Sequence, residues 1–172
     1  MLRRTLQFGL GLGLAVLLTA GCTGYRLGTG SQLEFSSLYV APVQMKALVP
    51  QAQPILTGAI RDAFIKDGRL ALVSTPEASG ASLQVIVRDY RRDVATVRPG
   101  DTGLARKFIV TLTVEASLVN PADGRVFFSG RVIEVKRDVF TDSGQQQAEY
   151  QILPLLAQDL ADKLTHAVLD TW

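Results

Sequence analysis

An alternation of apolar and polar side chains predicts β-strands in the middle of the chain. The alternation is cleanest over residues 107–118, where every second side chain is apolar and the intervening ones are mostly polar. Residues 81–93 alternate in the same way, with Leu83, Val85 and Val87 on one face, and we expect Gln84, Arg88 and Tyr90 on the polar face of that strand. Both segments are therefore predicted to be half-buried strands, with one face toward a core and the other toward water.

Three further segments also predict strands. Residues 125–140 continue the alternation after a turn at Asn120–Gly124, but its phase shifts around Gly130, which indicates a β-bulge. Two shorter apolar runs cover residues 37–43 and 70–73 and are typical of short strands. The sequence therefore predicts five strands of very different lengths.

Two segments instead repeat apolar side chains every three or four residues, which is the period of an amphipathic helix. The first covers residues 50–67 and ends at Gly68, a natural helix C-cap. The second runs from Ile152 to Val168. Pro154 conflicts with a helix that begins much earlier, because its ring clashes with the carbonyl four residues before it. We therefore expect either a kink at Pro154 or a helix that begins near Gln151.

These elements follow one another in the order β-α-β-β-β-β-α. Each helix and each alternating strand has one apolar face to bury, and two packed layers achieve this. We predict an α+β fold, a two-layer sandwich in which two helices pack on one face of a mixed, mainly antiparallel sheet. The other face of the sheet would then carry many of the threonine, glutamine, arginine and lysine side chains.

The N-terminal segment has the pattern of a secretory signal peptide. Arg3 and Arg4 precede an almost wholly apolar stretch, Leu6 to Ala20. At about 15 residues this stretch is shorter than the roughly 20 that a membrane-spanning helix needs. We therefore expect residues 1–21 to be removed as a signal peptide.

Cys22, the only cysteine in the chain, directly follows the small residues Ala20 and Gly21. This arrangement resembles the bacterial lipoprotein box, in which the cysteine is acylated, palmitate included, and becomes the first residue after cleavage. The chain departs from this pattern at Thr19, where leucine is usual. The alternative to a lipoprotein box is that Cys22 is a buried cysteine in an ordinary N-terminal helix. Thr23 is not the aspartate that retains enteric lipoproteins at the inner membrane, so the resemblance implies the outer membrane.

The predicted organisation is then a signal peptide over residues 1–21, a lipidated tether over 22–35 and a single α+β domain over 36–172. Without Arg3 and Arg4 the chain has 16 basic and 16 acidic residues, so its overall charge does not favour nucleic acid as a partner. With Cys22 lipidated, the domain has no disulfide, and packing must stabilise it.

The sequence contains few residues that carry chemistry. Its one histidine, His166, lies in the second predicted helix, and no Gly-x-Ser-x-Gly segment accompanies it. A metal site needs a cluster of histidine, cysteine or carboxylate ligands, which this pattern does not offer. We expect neither catalysis nor a cofactor nor a metal, although a small hydrolase that depends on His166 or an aspartate is a class to test.

Basic residues are the most informative polar feature. They fall at the hairpin ends of the predicted strands, at Arg88, Arg91, Arg92, Arg98, Arg106, Lys107, Arg131, Lys136 and Arg137. Guanidinium groups suit phosphates and carboxylates. The alternative is that these residues pair with acidic neighbours, namely Asp89, Asp93, Asp101, Glu134 and Asp138. Arg98, in a turn with Pro99 and Gly100, is the better candidate for binding.

The whole chain after the signal resembles the lipopolysaccharide-assembly lipoprotein family LptE. The resemblance rests on Leu18-Thr-Ala-Gly-Cys22, on the Gly24-Tyr25-Arg26-Leu27 segment after it, and on the Arg98-x-Gly hairpin. A long strand that ends in Leu118-Val119-Asn120-Pro121 and the final amphipathic helix also match.

The resemblance implies an outer-membrane lipoprotein that plugs a large β-barrel, helps the barrel to assemble, and contacts lipopolysaccharide on its way to the outer leaflet. Arg98 would lie where the family has an arginine implicated in lipid contact, and Arg106, Lys107, Arg92 and Lys136 are further candidates. The family's second basic position falls near Asp142–Gln147, where this chain has no lysine or arginine.

One other class of function fits a lipid-anchored α+β domain. The protein would then be an accessory factor on the periplasmic side, serving a cell-wall synthase or another transporter. The fold alone does not decide between this role and the barrel plug. The identity of the co-purifying partner would discriminate them.

Overall fold

A computed structural model describes residues 33–97, 105–140 and 145–170, without the side chains of residues 96, 97, 105, 106 and 145–150. It contains six strands, namely β1 (Ser37–Val40), β2 (Gln44–Met45), β3 (Ala71–Leu72), β4 (Ala81–Val97), β5 (Ala105–Val119) and β6 (Val126–Phe140). The two α-helices are α1 (Ala52–Asp67) and α2 (Gln145–Leu169), and a short 3₁₀ helix covers Pro76–Ala78. The predicted α+β class and element order are confirmed.

The six strands form one open mixed sheet in the order β3-β1-β4-β5-β6. The short strands pair in parallel, β1 with β3 and with β4, and β2 with β4. The long strands β4, β5 and β6 pair antiparallel with their sequence neighbours. A long three-stranded antiparallel ribbon therefore extends from a compact parallel edge.

The predicted first strand, 37–43, is interrupted in the structure. β1 ends at Val40, and β2 resumes pairing with β4 only at Gln44. Pro42 lies in the gap and has no N–H to donate to a ladder. The N–H of Val43 leaves the sheet and donates to Thr57 Oγ1 at 3.1 Å, so that α1 satisfies the donor. The proline thus ends the strand and turns the chain toward the first helix.

The core lies between the two helices and one face of the sheet. α1 buries Ala52, Leu56, Ile60 and Phe64, which recur every four residues along one side of the helix. Every second residue of β5 from Val110 to Leu118 is buried beneath the helices. Fully burying a leucine or phenylalanine side chain contributes about 1.5–3 kcal/mol, so these alternating sets hold the layers together.

The second helix begins before Gln151, which was one of the two starts that the sequence left open. α2 is helical from Gln145 through Pro154 to Leu169, so a start near Gln151 is wrong. Pro154 is exposed, and water can satisfy the carbonyl that loses its partner there. The apolar face of α2, with Leu156 and Leu160 fully buried, packs on the sheet and outweighs the one lost bond.

Two bulges set which side chains face the helices. The predicted bulge at Gly130 is confirmed, because the β5–β6 register shifts there and Gly130 has a φ of 65°. A second shift falls between Val87 and Asp89 of β4. It places Tyr90 opposite Leu112 on the helix side, so the prediction of Tyr90 on the polar face is wrong. The extra residue, Arg88, reverses the alternation from Asp89 to Val94, and the next register shift follows between Val94 and Thr96.

The end of the predicted tether belongs to the packed domain. Leu33 and Phe35, at the end of the predicted tether, pack against the core, and the rings of Phe35 and Phe127 lie 5.0 Å apart.

No helix within residues 33–97, 105–140 and 145–170 is both long enough and apolar enough to cross a membrane.

Candidate functional site

The side of the sheet opposite the helices carries most of the charged side chains of β4, β5 and β6. We call this side the open face. It comprises the odd-numbered residues of β5 and the residues that lie opposite them on the neighbouring strands. Over Lys107–Glu115 of β5, its members with described side chains are Ile86, Asp89, Arg91 and Asp93 of β4, then Lys107, Ile109, Thr111, Thr113 and Glu115 of β5, then Val132, Glu134, Lys136, Asp138 and Phe140 of β6.

Thr111 shows how the open face is built. It lies in the central strand, opposite Arg91 on one side and Lys136 on the other. Its side chain nevertheless retains only 2% exposure, because long side chains on both neighbouring strands cover it. The centre of the open face is therefore a layer of extended charged side chains over short β-branched ones.

Each basic side chain of the open face has an acidic partner. Lys136 Nζ lies 2.8 Å from Glu134 Oε1, and Lys107 Nζ lies 2.8 Å from Asp138 Oδ2. Arg91 reaches both Asp93 and, at the longer distance of 3.8 Å, Asp89. These four carboxylates are among the partners that the sequence predicts in the alternative interpretation of the basic residues. The fifth, Asp101, lies outside the described residues.

Arg88, in the bulge of β4, adds a further ion pair. Its Nε donates to Glu115 Oε2 at 2.7 Å across to β5. Exposed pairs of this kind each stabilise a protein by about 1 kcal/mol or less, so their larger effect is on the charge that the surface presents. The side-chain hydrogen bond from Lys136 lowers the pKa of Glu134, which keeps this carboxylate ionised.

The structure separates the candidate basic residues rather than gathering them. Lys107 and Lys136 lie on the open face, whereas Arg92 lies opposite Val110 on the helix side, with its guanidinium 5.6 Å from the centroid of the Phe108 ring. The backbone of Arg106 belongs to β5, but its side chain is outside the described part. Arg98 and Cys22 are also outside the described residues.

The helix side of the ribbon has its own ion pair, which joins β6 to α2. Arg137 Nε and Asp159 Oδ2 lie 2.6 Å apart, and the second guanidinium nitrogen reaches Oδ1 at the same distance. This bidentate contact lowers the pKa of Asp159 and raises that of Arg137. Arg131 donates to the carbonyl of Ala167 at the end of α2, where a cation favours the helix dipole.

Tyr90 completes this side. It is half-buried, and burial raises the pKa of its phenol, so it stays neutral at ordinary pH. The sequence did not predict that Tyr90 faces the helices, because the alternation that leads up to Val87 gives no sign of a bulge at Arg88.

A groove of about 490 Å³ runs between the outer sides of the two helices. Small residues such as Gly58, Ala59 and Ala161 line its floor, with Asp62 and Asp162 beside them. Among the residues that the structure describes, no group of three or more histidine, cysteine or carboxylate side chains is arranged to hold a metal ion. The open face is therefore the candidate site that the geometry favours.

The sequence profile of the family described as LptE, lipopolysaccharide-assembly, matches residues 35–168 of the chain. No curated protein matches the sequence.

Solved structures share the fold. Protein XCC0632 from Xanthomonas campestris is similar, with 20% identity, coverage of 78% of this chain and 84% of that one, and a TM-score of 0.59. An uncharacterized lipoprotein B from Nitrosomonas europaea matches with 20% identity over 86% and 96% of the two chains, at a TM-score of 0.54. A minor lipoprotein from Acinetobacter baumannii matches with 15% identity over 78% and 94%, at a TM-score of 0.51.

Proposed function

The chain belongs to the LptE lipopolysaccharide-assembly family, and on this premise we propose that it is a lipoprotein of the outer membrane that plugs a large β-barrel. In this role it also acts as the scaffold on which the barrel assembles. The barrel inserts lipopolysaccharide into the outer leaflet. Acyl chains on Cys22 anchor the protein, since several chains on one cysteine hold a domain firmly at a membrane.

The extent of the family match is the observation that carries this proposal. Residues 35–168 include all six strands, the whole of α1 and all but the last residue of α2. The resemblance is thus to the complete domain and not to one local motif. A role that needs the domain as a unit, such as filling the lumen of a barrel, accords with a match of this extent.

The shape and polarity of the domain also support the plug. Six strands and two helices share one core, so packing holds the layers of the domain together without a disulfide between them. The open face is polar and laced with ion pairs. The interior of large outer-membrane barrels is polar and wet, so such a face needs no further partner to be stable there.

We infer that lipid contact centres on Arg98 rather than on the whole set of basic candidates. Lys107 and Lys136 already have carboxylate partners, and Arg92 lies on the opposite side of the sheet. Because Arg92 is separated from Lys107 and Lys136 by the sheet, these three side chains cannot bind one phosphate together. The case for Arg98 rests on the family resemblance and on the turn that the sequence predicts at Pro99 and Gly100, and a guanidinium group forms the bidentate contacts that phosphates favour.

A crosslinking experiment tests this assignment. A photoreactive residue at Gly100 should label lipopolysaccharide in cells, and Arg98→Glu should reduce that labelling several-fold, because it replaces a phosphate-binding cation with an anion. Lys46→Glu, in an exposed loop after β2, is the matched control and should leave the labelling unchanged. Equal labelling in all three proteins would remove Arg98 from the site.

Depletion of the protein in its native host tests the function itself. We expect lipopolysaccharide to disappear from the cell surface and to accumulate at the inner membrane as the protein is lost. Surface labelling of lipopolysaccharide, followed over time after depletion, measures this. Normal surface lipopolysaccharide with a defect confined to the cell wall would instead support the accessory role.

A further inference from the structure

The charges on the open face are arranged in bands that run across the three long strands. Asp89 of β4 and Glu134 of β6 lie opposite the same residue of β5 and form an acidic band. Two residues further along the strands, Arg91 and Lys136 again lie opposite one residue of β5 and form a basic band. Like charges thus share a row, and opposite charges follow each other along β4 and along β6.

The pattern continues toward the hairpin end. Asp93 and Asp138 both lie opposite Ile109 and form a second acidic band. The next row contains Lys107, which lies opposite Phe140. From the row of Thr113 to the row of Lys107 the sign therefore alternates acidic, basic, acidic, basic. Glu115, in the row before, is paired with Arg88. Successive bands are two residues apart along the strands, or about 6.7 Å.

This arrangement determines which partner the open face can bind. The ion pairs neutralise the bands against each other, so the open face has no strong field of a single sign to attract a lipid phosphate or another polyanion. A complementary surface must instead present alternating charges at the same spacing. It gains most when its basic rows lie over Asp89 and Glu134, and its acidic rows over Arg91 and Lys136.

A β-sheet wall provides that spacing by its own geometry. Side chains on one face of a strand recur every second residue, about 6.7 Å apart, and neighbouring strands place them in rows. A helix advances about 5.4 Å per turn and does not keep register with four such bands. The inner wall of a large barrel is a polar sheet face of this kind.

We propose that the open face of β4–β6 docks against the inner wall of the barrel partner, and that this wall carries charged rows of alternating sign. This inference rests on the proposed function, since it names the surface through which the plug is held. Two side chains at the rim of the open face, Val132 and Phe140, are 67% and 60% exposed and add apolar contact around the charged centre.

A charge-swapped variant tests the banding without changing net charge. The double substitution Glu134→Lys with Lys136→Glu retains an ion pair within β6 but inverts the acidic and basic rows. A second swap, Asp89→Arg with Arg91→Asp, does the same on β4. Lys66→Glu, at an exposed position of α1, is a control that changes net charge on the helix layer, away from the open face.

The readout is the amount of barrel that co-purifies with the full-length, tagged protein from native outer membranes in mild detergent. Each swap should reduce the recovered barrel about tenfold or more, because like charges that face each other across an interface weaken binding, and tenfold corresponds to about 1.4 kcal/mol. Lys66→Glu should retain the barrel. Circular dichroism and the thermal midpoint of each swapped variant establish that the loss is not a loss of fold.

The outcomes separate this inference from the function on which it rests. Full recovery with both swapped variants, while the unchanged protein also retains the barrel, would overturn the docking surface and leave the plug intact. If the unchanged protein recovers no barrel, the proposed function fails and the docking surface with it. A dimer of the purified protein that either swap dissociates would assign the open face to a second copy of this chain, and would likewise overturn the barrel wall.

Discussion

At the scale of single residues, the basic side chains of the sheet are governed by the carboxylates beside them. Glu134 and Lys136 are two residues apart on one strand and 2.8 Å apart in space. Such pairs are visible in the sequence as charges at alternate positions. The burial of the residues beneath such pairs is not visible there. Nothing in the sequence pattern indicates that Thr111 is covered by its charged neighbours. Counting arginine and lysine residues therefore overstates how much positive charge is available to a ligand.

The same scale contains the prediction for the anchor. Cys22→Ala removes the thiol that is acylated before cleavage, so the variant should accumulate as an unprocessed precursor of residues 1–172. Its mass, measured on protein from isolated membranes, should equal the unmodified sequence. The unchanged protein should lose residues 1–21 and gain the mass of its acyl chains. A variant that still carries acyl chains would contradict the assignment of Cys22.

At the scale of elements, periodicity predicted which segments become helices and strands, whereas local backbone chemistry decided where they end. β1 ends at Val40 because Pro42 follows, and α1 ends at Gly68, as the pattern indicated. The start of α2 was not predictable from Pro154 alone. The burial of the helix's apolar face outweighs the loss of one hydrogen bond, and that burial depends on the sheet beneath it.

Two glycines of the first helix give a matched prediction at this scale. Gly68 caps α1 with a φ of 74° and donates to the carbonyl of Phe64. Gly68→Ala should lower the free energy of unfolding by about 1 kcal/mol, because a side chain disfavours the left-handed conformation.

Gly58 is the control, since it lies within α1 and a Cβ added there would contact nothing within 4 Å. Gly58→Ala should raise the free energy of unfolding by about 0.5–1 kcal/mol. Urea unfolding of the purified protein, followed by circular dichroism, measures both. The same sign of change in the two variants would contradict the assigned cap.

At the scale of the whole molecule, the class, the order of elements and the layering followed from the sequence. The distribution of the candidate residues over the two faces did not. The bulge at Arg88 reverses the alternation within β4, so that Tyr90 and Arg92 turn to the helix side and Asp89 and Arg91 turn to the open face. One extra residue thus divides a cluster that looks continuous in the sequence.

The charge bands are also a property of the whole molecule. They exist only because the registers of β4, β5 and β6 bring Asp89 and Glu134, and then Arg91 and Lys136, into common rows. These residues are far apart in the sequence, and a shift of one residue in either register would turn a whole strand's charges to the other face. The register had to be known before the open face could be described.

The most direct test of the account is the composition of the complex that the protein forms in its own membrane. A tagged, full-length protein is purified from native outer membranes in mild detergent, and the co-purifying proteins are identified and quantified by mass. We expect one large β-barrel in close to equal amount. Cell-wall synthases in its place, or no protein above the background of an untagged strain, would contradict the plug.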